Sequence, residues 1–564
     1  MKLSFTILLF ITSLKVFTQE IKWTRAIGGN DYEDSRSIIM DETGSSYMIG
    51  WFRGTMDLNP GEEIANITAR LGYDSYILKL DRDGKFLWGF NLEGNGNLNF
   101  YDMVMDSDGN IYITGDFTKT IDFDPGPEQY NLTADQGNTF ILKLNSDGKF
   151  LQAVKFALHY NRAYAIDIDN LGNIYTTGYF REETDFDPGP NEFILQPIGS
   201  PQAADVFICK LDKNFNFQWV KSYGGYDYSQ GTEVKTDSNG NVYFAGIFLG
   251  TIDFDPESGT LDITSKGRGD FFVTKFNQDG VQEWVQTFGS SNENDEVTSI
   301  EIDSNNNIYL AGFFSGTIDF DPAESVSNLS PVNENNNFLL KLDTYGKFEW
   351  VINAVGRSIS IGPNNEIYLA GKFKQEFDFD SSEANANFLS NGEYDIAVSK
   401  YNSDGNYLWA ITFGSEGNDY GYNIDTNKSG DVIVNGAFKG LVYFSETESL
   451  ESEGESNDIF VYKFNDKLPE DEDNENDEDQ DEHEELGNLK IKIAPNPTYD
   501  FVNILNELET IKSVIAIDNN GKIVYSKDNI NLNNFSFNLN LASGIYFIKI
   551  QTGKEIKTLK LIKK

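Results

Sequence analysis

The 564-residue chain carries a formal net charge of −45, with 44 basic residues against 89 acidic ones. That excess argues against nucleic acid and anionic membrane as partners, since both need basic surface. A single cysteine, Cys209, and two histidines, His159 and His483, leave no intramolecular disulfide and no stock for a cysteine-rich or multi-histidine metal site or a Ser-His-Asp triad.

Residues 1–19 open with Lys2 and an apolar run from Leu3 to Leu14. The run is too short for an ordinary membrane span and reads as a secretory signal peptide cut near Gln19. The segment 21–29, Ile-Lys-Trp-Thr-Arg-Ala-Ile-Gly-Gly, comes next and has relatives at 217–225, 282–290 and 407–415. In each relative the Trp segment ends a repeat, so the copy at 21–29 is an orphan strand.

The repeat itself is the landmark Tyr-x-x-Gly-x-Phe followed by Asp-Phe-Asp-Pro, clearest at 307–322. Its glycine recurs at Gly50, Gly115, Gly178, Gly246, Gly312, Gly371 and Gly436, at spacings of 59 to 68 residues. A fixed period of this kind marks an array of one supersecondary unit. The unit parses on 232–290 as four strands. They begin at Thr232, Val242, Phe271 and Glu283, with tight turns at Asp237-Ser-Asn-Gly-Asn241 and Asn277-Gln-Asp-Gly280. The frequent aromatics (43 Phe, 28 Tyr) suit half-buried strands, and no convincing amphipathic helix interrupts them. Seven four-stranded units predict an all-β, seven-bladed β-propeller over 20–465. The seventh unit has its third strand at 458–464 but no Trp strand, so the orphan at 21–29 is expected to close the ring and hide two sheet edges.

Residues 466–488 form an acidic linker, with twelve acids within 470–485, too repulsive to build a core. Residues 489–564 change sign, with eleven Lys against six acids. Alternating strands return around Pro495-Asn496-Pro497, a hairpin at Gly521, Gly544-Ile-Tyr546 and the terminal Lys563-Lys564.

Two resemblances follow from these motifs. The Asp-x-x-Gly-Asn-x-Tyr-x-x-Gly turn at 237–246, the Phe-x-x-Lys-Phe strand at 272–276 and the Trp strands resemble secreted bacterial propeller repeats of the SBBP kind. Residues 489–564 resemble the type A C-terminal sorting domain of the Bacteroidota type IX secretion system. That second resemblance implies a small β-sandwich recognised by the translocon, removal by its sorting peptidase, and often attachment to surface lipopolysaccharide. The protein is therefore expected across the outer membrane, at the cell surface or outside the cell.

In an antiparallel meander the short turns share one face of the disc and the long connections share the other, where function usually sits. The long-connection face collects Asp-Phe-Asp at Asp122/Asp124, Asp185/Asp187, Asp253/Asp255, Asp319/Asp321 and Asp378/Asp380. In extended chain both carboxylates of a pair share a side and Phe turns to the core. Three roles compete: capping the turn before Pro, ligating calcium, and acid/base chemistry. Five near-identical copies favour the turn, since catalysis needs one special site. Trp23, Trp88, Trp219, Trp284, Trp350 and Trp409 recur once per unit, which points to packing between units, whereas Trp51 stands off the pattern. The reading is an exported binding or adhesion module for an extracellular glycan or protein. A hydrolytic, carbohydrate-active enzyme using Asp and Glu of the long-connection face and a structural surface protein are the alternatives. An irregular acidic cluster breaking the repeat would mark the enzyme, and none is visible in the sequence.

Overall fold

The computed structural model describes residues 19–466 and 491–563, apart from 30, 159, 200–202, 256, 258, 292–293, 322–324, 334–335, 383–385, 446–447, 453–455, 495–500, 507–509, 519–521, 533, 539–543 and 553–555. The described residues form strands and turns with no helix among them. The chain divides into two compact units, one of Thr18–Phe444 with Glu448–Leu468 and the other built on Pro469–Lys564.

The second unit has a three-stranded sheet (Ile491–Ala494, Phe501–Asn506, Asn534–Asn538) and a four-stranded sheet (Ile511–Asp518, Ile523–Leu532, Gly544–Gln551, Ile556–Lys563). One apolar cluster joins Val502 and Ile504 of the first sheet to Val514, Ile548 and Leu561 of the second. Tyr546 is buried in the same cluster, and Gly544 pairs with Lys563 at the end of the second sheet.

Among the described residues of the first unit a four-strand antiparallel meander recurs. Four copies stand as separate four-stranded sheets, one lies within a six-stranded sheet, and the first and last are joined through the N-terminal strand in one eight-stranded sheet. Each copy is counted below as a sheet, one to seven in chain order. Sheet four is typical: Ser229–Thr236, Val242–Phe248, Asp270–Phe276 and Gln282–Phe288 pair in sequence order. The seventh is completed from the other end of the chain. Its strands Tyr420–Thr426, Asp431–Phe438 and Asp458–Asn465 are followed by Glu20–Gly29, paired from Glu20↔Asn465 to Ile27↔Ile459. The same N-terminal strand ends by pairing Gly28 and Gly29 with Asp57 and Met56 of the first sheet. The first strands of successive sheets touch one another in a cycle, including a contact between Glu33–Met40 of sheet one and Tyr420–Thr426 of sheet seven.

Each repeated motif answers a local need. Asp237 Oδ1 accepts the N–H groups of Asn239 (2.8 Å) and Asn241 (3.0 Å), while Oδ2 accepts the Tyr243 hydroxyl (3.1 Å). Asp, Asn and Tyr of the turn motif are thus one hydrogen-bonded device, closed by Gly240 at φ +79°. The tryptophans bridge sheets: Trp219 lies against Gly280 of the next sheet and donates its indole N–H to Gln278 O (3.3 Å). Trp23, Trp88, Trp284 and Trp350 repeat this on Gly84, Gly148, Gly346 and Gly405. Trp409 breaks the series, because the third strand of sheet seven ends without a covalent turn into its fourth. Its indole nitrogen has no partner among the described residues. The repeated lysine also crosses sheets. Lys210 lies over the ring of Tyr175 (5.1 Å) and donates to Gln278 O (2.8 Å).

The landmark glycine sits opposite a β-bulge in the first strand of six sheets: Ser35/Ser37, Phe100/Asp102, Ala163/Ala165, Gly231/Glu233, Val297/Ser299 and Gly421/Asn423. The bulge drives a carbonyl of that strand onto the facing residue. A Cβ at Gly246 would lie 2.2 Å from Gln230 O and 2.8 Å from the Phe272 ring. At Gly50, Gly115, Gly178, Gly312 and Gly436 the facing carbonyl would be 1.8 to 2.0 Å away. Glycine is demanded here by close backbone approach. In sheet six Gly371 meets Gly356 instead, and the short spacing before Gly371 reflects the brief connection from Asn353 to Ser358.

Gly246→Ala should therefore destabilise the first unit by about 1–3 kcal/mol or more, the range for overpacking a filled site. Gly440→Ala, where a Cβ meets nothing within 4 Å but φ is +81°, carries backbone strain without the clash and should cost less. Equal melting temperatures for Gly246→Ala and the parent would refute the close-approach account.

Candidate functional site

A cavity of about 530 Å3 lies on the axis of the cycle and is lined by the first strands of all seven sheets. The bulges decide what faces it. The extra residue of each bulge, Arg36, Tyr101, Tyr164, Thr232, Thr298 and Tyr422, lines the cavity. Bulges are a common means of re-aiming a side chain.

Toward the short-turn end, the cavity-facing polar groups stitch neighbouring sheets together. Asp102 accepts the Ser37 hydroxyl (3.2 Å) and the Ile166 N–H (3.0 Å), joining sheets one, two and three. Asp167 accepts the N–H (2.6 Å) and hydroxyl (2.8 Å) of Thr236. Thr232 donates to Val297 O (3.0 Å), and Lys235 pairs with Glu301 (2.8 Å). Ser299 accepts the Ile359 N–H (3.1 Å), and Ser358 that of Ile424 (3.3 Å). Asp425 accepts the Met40 N–H (2.7 Å), so the stitches run once around the axis.

These residues include the irregular acidic cluster that the sequence did not disclose. Asp102, Asp167, Glu233, Glu301 and Asp425 come from five different sheets and converge around Lys235. Burial raises Asp167 to about 6 and Asp425 to about 7, against the pull of Lys235 and of their backbone donors. Burial, with Asp102 beside it, pushes Glu233 well above the usual carboxylate range. The signal was present only as departures from the repeat. The first strands vary from unit to unit at most positions, and these acids are scattered among the varying ones.

Toward the long-connection end the lining turns aromatic and cationic. Arg36 stacks on Trp51 at 3.8 Å and pairs with Asp34 (3.1 Å). Trp51 also meets Tyr101 edge-on and donates to Phe100 O (3.1 Å), so the off-pattern tryptophan is part of this wall. Arg162 lies among Tyr101, Tyr160 and Tyr164, 5.5 to 5.9 Å from their rings, and pairs with Asp116 (3.0 Å). Arg181 adds Tyr179 and Tyr228. From sheets six and seven Arg357 and Tyr422 line the cavity, with Lys372 and Tyr420 beside them. His159, the propeller-region histidine of the sequence, lies outside the described residues.

The Asp-Phe-Asp segments sit in short hairpins away from this axis. Asp253 Oδ1 accepts the N–H of Asp255 (3.0 Å) and of Leu261 (2.7 Å), and Asp255 Oδ1 that of Glu257 (2.9 Å). The pattern repeats in the other copies, with Asp122 and Asp124, Asp185 and Asp187, Asp319 and Asp378 each holding backbone N–H groups. Asp380 caps Ser382, and Asp321 accepts the Ser325 hydroxyl. The intervening Phe123, Phe186, Phe254, Phe320 and Phe379 are buried. No group of three or more His, Cys, Asp or Glu side chains suited to a metal ion occurs among the described residues. Of the expected sorting residues, Gly544, Tyr546 and Lys563 lie on described strands, while Pro495, Asn496, Pro497, Gly521 and Lys564 lie outside the described residues.

Residues 492–564 match the family described as the secretion system C-terminal sorting domain. The protein is thus an exported all-β repeat protein, carried across the outer membrane to the cell surface or the extracellular space through the type IX secretion system. The chain is 26% identical over 282 residues to the uncharacterized WD repeat-containing protein L264 of Acanthamoeba polyphaga mimivirus, covering 42% of this chain and 20% of that protein. It is 27% identical over 124 residues to the regulatory protein FlaEY of Caulobacter vibrioides, covering 22% of this chain and 13% of that one. The chain therefore spans a fifth or less of the curated relatives it matches. Among solved structures it is similar to a quinohemoprotein alcohol dehydrogenase from Comamonas testosteroni (10% identity, TM-score 0.38, 87% of this chain and 80% of that one). Rhamnogalacturonan lyase YesX is also similar (12% identity, TM-score 0.30, 78% and 72%). Likeness at this level assigns no activity.

The axial carboxylates set a pH dependence. Asp425 binds its proton more tightly folded, near 7, than unfolded, near 3.8. Its contribution is complete below the unfolded value and is lost as pH rises through about 7. Asp425→Asn should therefore narrow the gap between melting temperatures at pH 5 and pH 8. An unchanged gap would show that Asp425 is not held protonated by its site.

Proposed function

We propose that the repeat region is a closed seven-bladed β-propeller, and that the exported protein works as a binding module whose ligand enters the axial cavity from the long-connection face. The C-terminal unit is then a β-sandwich that serves as its export address, with the acidic linker as spacer. The observation that carries the reading is the wall of Arg36, Trp51, Tyr101, Arg162, Tyr164 and Tyr422. Aromatic and guanidinium side chains are gathered here from sheets one, two, three and seven, three of them tyrosines at the bulge, and they face one cavity. Rings and guanidinium groups on rigid strands offer contact area at little entropy cost. Most of the axial carboxylates are spent on backbone donors of neighbouring sheets, which suits a scaffold better than an acid/base pair.

A hydrolytic reading has one observation in its favour. Glu233 and Glu296, on adjacent first strands, both have raised pKa values through burial. If they act as acid and base, hydrolysis of a glycan should be detectable and should disappear in Glu233→Gln.

The binding reading is tested with the secreted protein on a glycan array, paired with a hydrolysis screen. Binding without turnover is expected, and Tyr422→Ala should weaken it by about tenfold, since loss of one buried aromatic contact is worth roughly 1–2 kcal/mol. Turnover, or binding indifferent to Tyr422, would count against this site. Ring closure has its own check. Removing residues 20–29 would uncover the edges of Asp458–Asn465 and of the first sheet, so the shortened protein should aggregate or melt far lower. A parent-like melting curve would rule closure out.

A further inference from the structure

The cations at the axial mouth differ in how they are partnered. Arg36 is matched by Asp34 and Arg162 by Asp116. Arg357 and Lys372, both exposed, close no ion pair among the described residues. Both lie over aromatic rings. Arg357 lies 5.8 Å from the ring of Tyr422, and Lys372 lies 4.4 Å from Tyr394 and 4.6 Å from Tyr420. Tyr420 and Tyr422 are parallel within 5°, with centroids 6.1 Å apart, and this stacked pair is the shelf beside the two cations. The cations also feel each other. Partial burial lowers the Lys372 pKa, and the Arg357 charge lowers it further. The Arg357 charge also acts on the Asp34, Glu233 and Glu296 carboxylates, but neither cation is held in an ion pair among the described residues.

We infer that this corner of the mouth takes the carboxylate-bearing end of an acidic saccharide, with the carboxylate on Arg357 and Lys372 and the sugar ring against the Tyr420–Tyr422 shelf. The inference rests on the binding reading above and adds the ligand class. A guanidinium fork matches a carboxylate in two parallel hydrogen bonds, and a neighbouring ammonium adds a point charge. The apolar face of a pyranose ring needs a flat partner of low entropy, which the tyrosine pair supplies. The net charge of −45 opposes a long, densely sulfated polymer, so the carboxylate enters end-on from a sparsely charged chain. The cavity, at about 530 Å3, is within the range that encloses a small ligand. An acidic peptide shares the carboxylate but leaves the shelf without a sugar face to cover.

The test uses the full secreted protein and calorimetric titration with saccharides ending in a uronic or sialic acid. Each is set beside its neutral counterpart, with penta-glutamate as a further arm. The acidic member of at least one pair should bind about tenfold or more tightly than the neutral one, and added salt should weaken it selectively. Arg357→Gln and Lys372→Gln should each cost about tenfold on the acidic ligand and leave the neutral one unchanged, while Lys428→Gln, at an exposed pair with Glu42, should change neither. Equal binding of acidic and neutral partners, or acidic binding untouched in both variants, would overturn the inference and leave the binding-module reading standing. Binding of penta-glutamate alone would also overturn it, in favour of a peptide. If no saccharide and no peptide binds, both readings fall together.

Discussion

The structure depends on one close approach. In six sheets a bulge pushes a carbonyl of the first strand to within about 2 Å of where a side chain would begin on the second, and a glycine removes that side chain. Without the bulge the first strand would keep strict alternation. Its extra residue would then have no place facing the axis. The glycine that announces the repeat and the residues that line the cavity are therefore two sides of one backbone constraint. The scaffold holds the glycine constant and leaves the bulged residue free to vary.

Neighbouring sheets are held together at two radii. At the outer radius Trp23, Trp88, Trp219, Trp284 and Trp350 and several of the repeated lysines reach the tight turn of the next sheet, as Trp219 and Lys210 do at Gln278 O. At the inner radius hydroxyls and carboxylates of one first strand accept backbone N–H groups of the next. Buried carboxylates are costly unless hydrogen-bonded. Here the cost is met by donors from neighbouring sheets, so the acids register the sheets around the axis. The turn aspartates and the Asp-Phe-Asp hairpins use the same chemistry locally, with Oδ1 atoms taking N–H groups two and four or two and eight residues on. Much of the acidic composition is thus engaged in backbone hydrogen bonding.

Much of the fold was legible because it repeats. Period, strand order, turn chemistry, the inward phenylalanines and the inter-sheet tryptophans each leave a signature that seven copies amplify. The orphan strand at 21–29 was recognisable by its likeness to strands that end other units, and it lies where that likeness suggests, beside Asp458–Asn465. The axial cluster was illegible for the complementary reason. Asp102, Asp167, Glu233, Glu301 and Asp425 lie tens of residues or more apart in sequence, one per unit, and a search for local acidic clusters does not group them. Trp51 was noticed as an exception, but its partner Arg36 and its position at the mouth were not.

By itself the sequence determined what local chemistry and periodicity control: an all-β chain, four-stranded units, hairpin turns, an export signal at the C-terminal end, and the exclusion of histidine- and cysteine-based sites. These follow from contacts between residues close in the chain, or from motifs whose spacing carries the mechanism. Tertiary structure decided what stands at the axis. Side chains hundreds of residues apart become neighbours there, as Asp425 and Met40 do, because the first strands of all seven sheets are brought side by side. Which side chains line that cavity depends on distances between sheets, and no spacing along the chain encodes such distances.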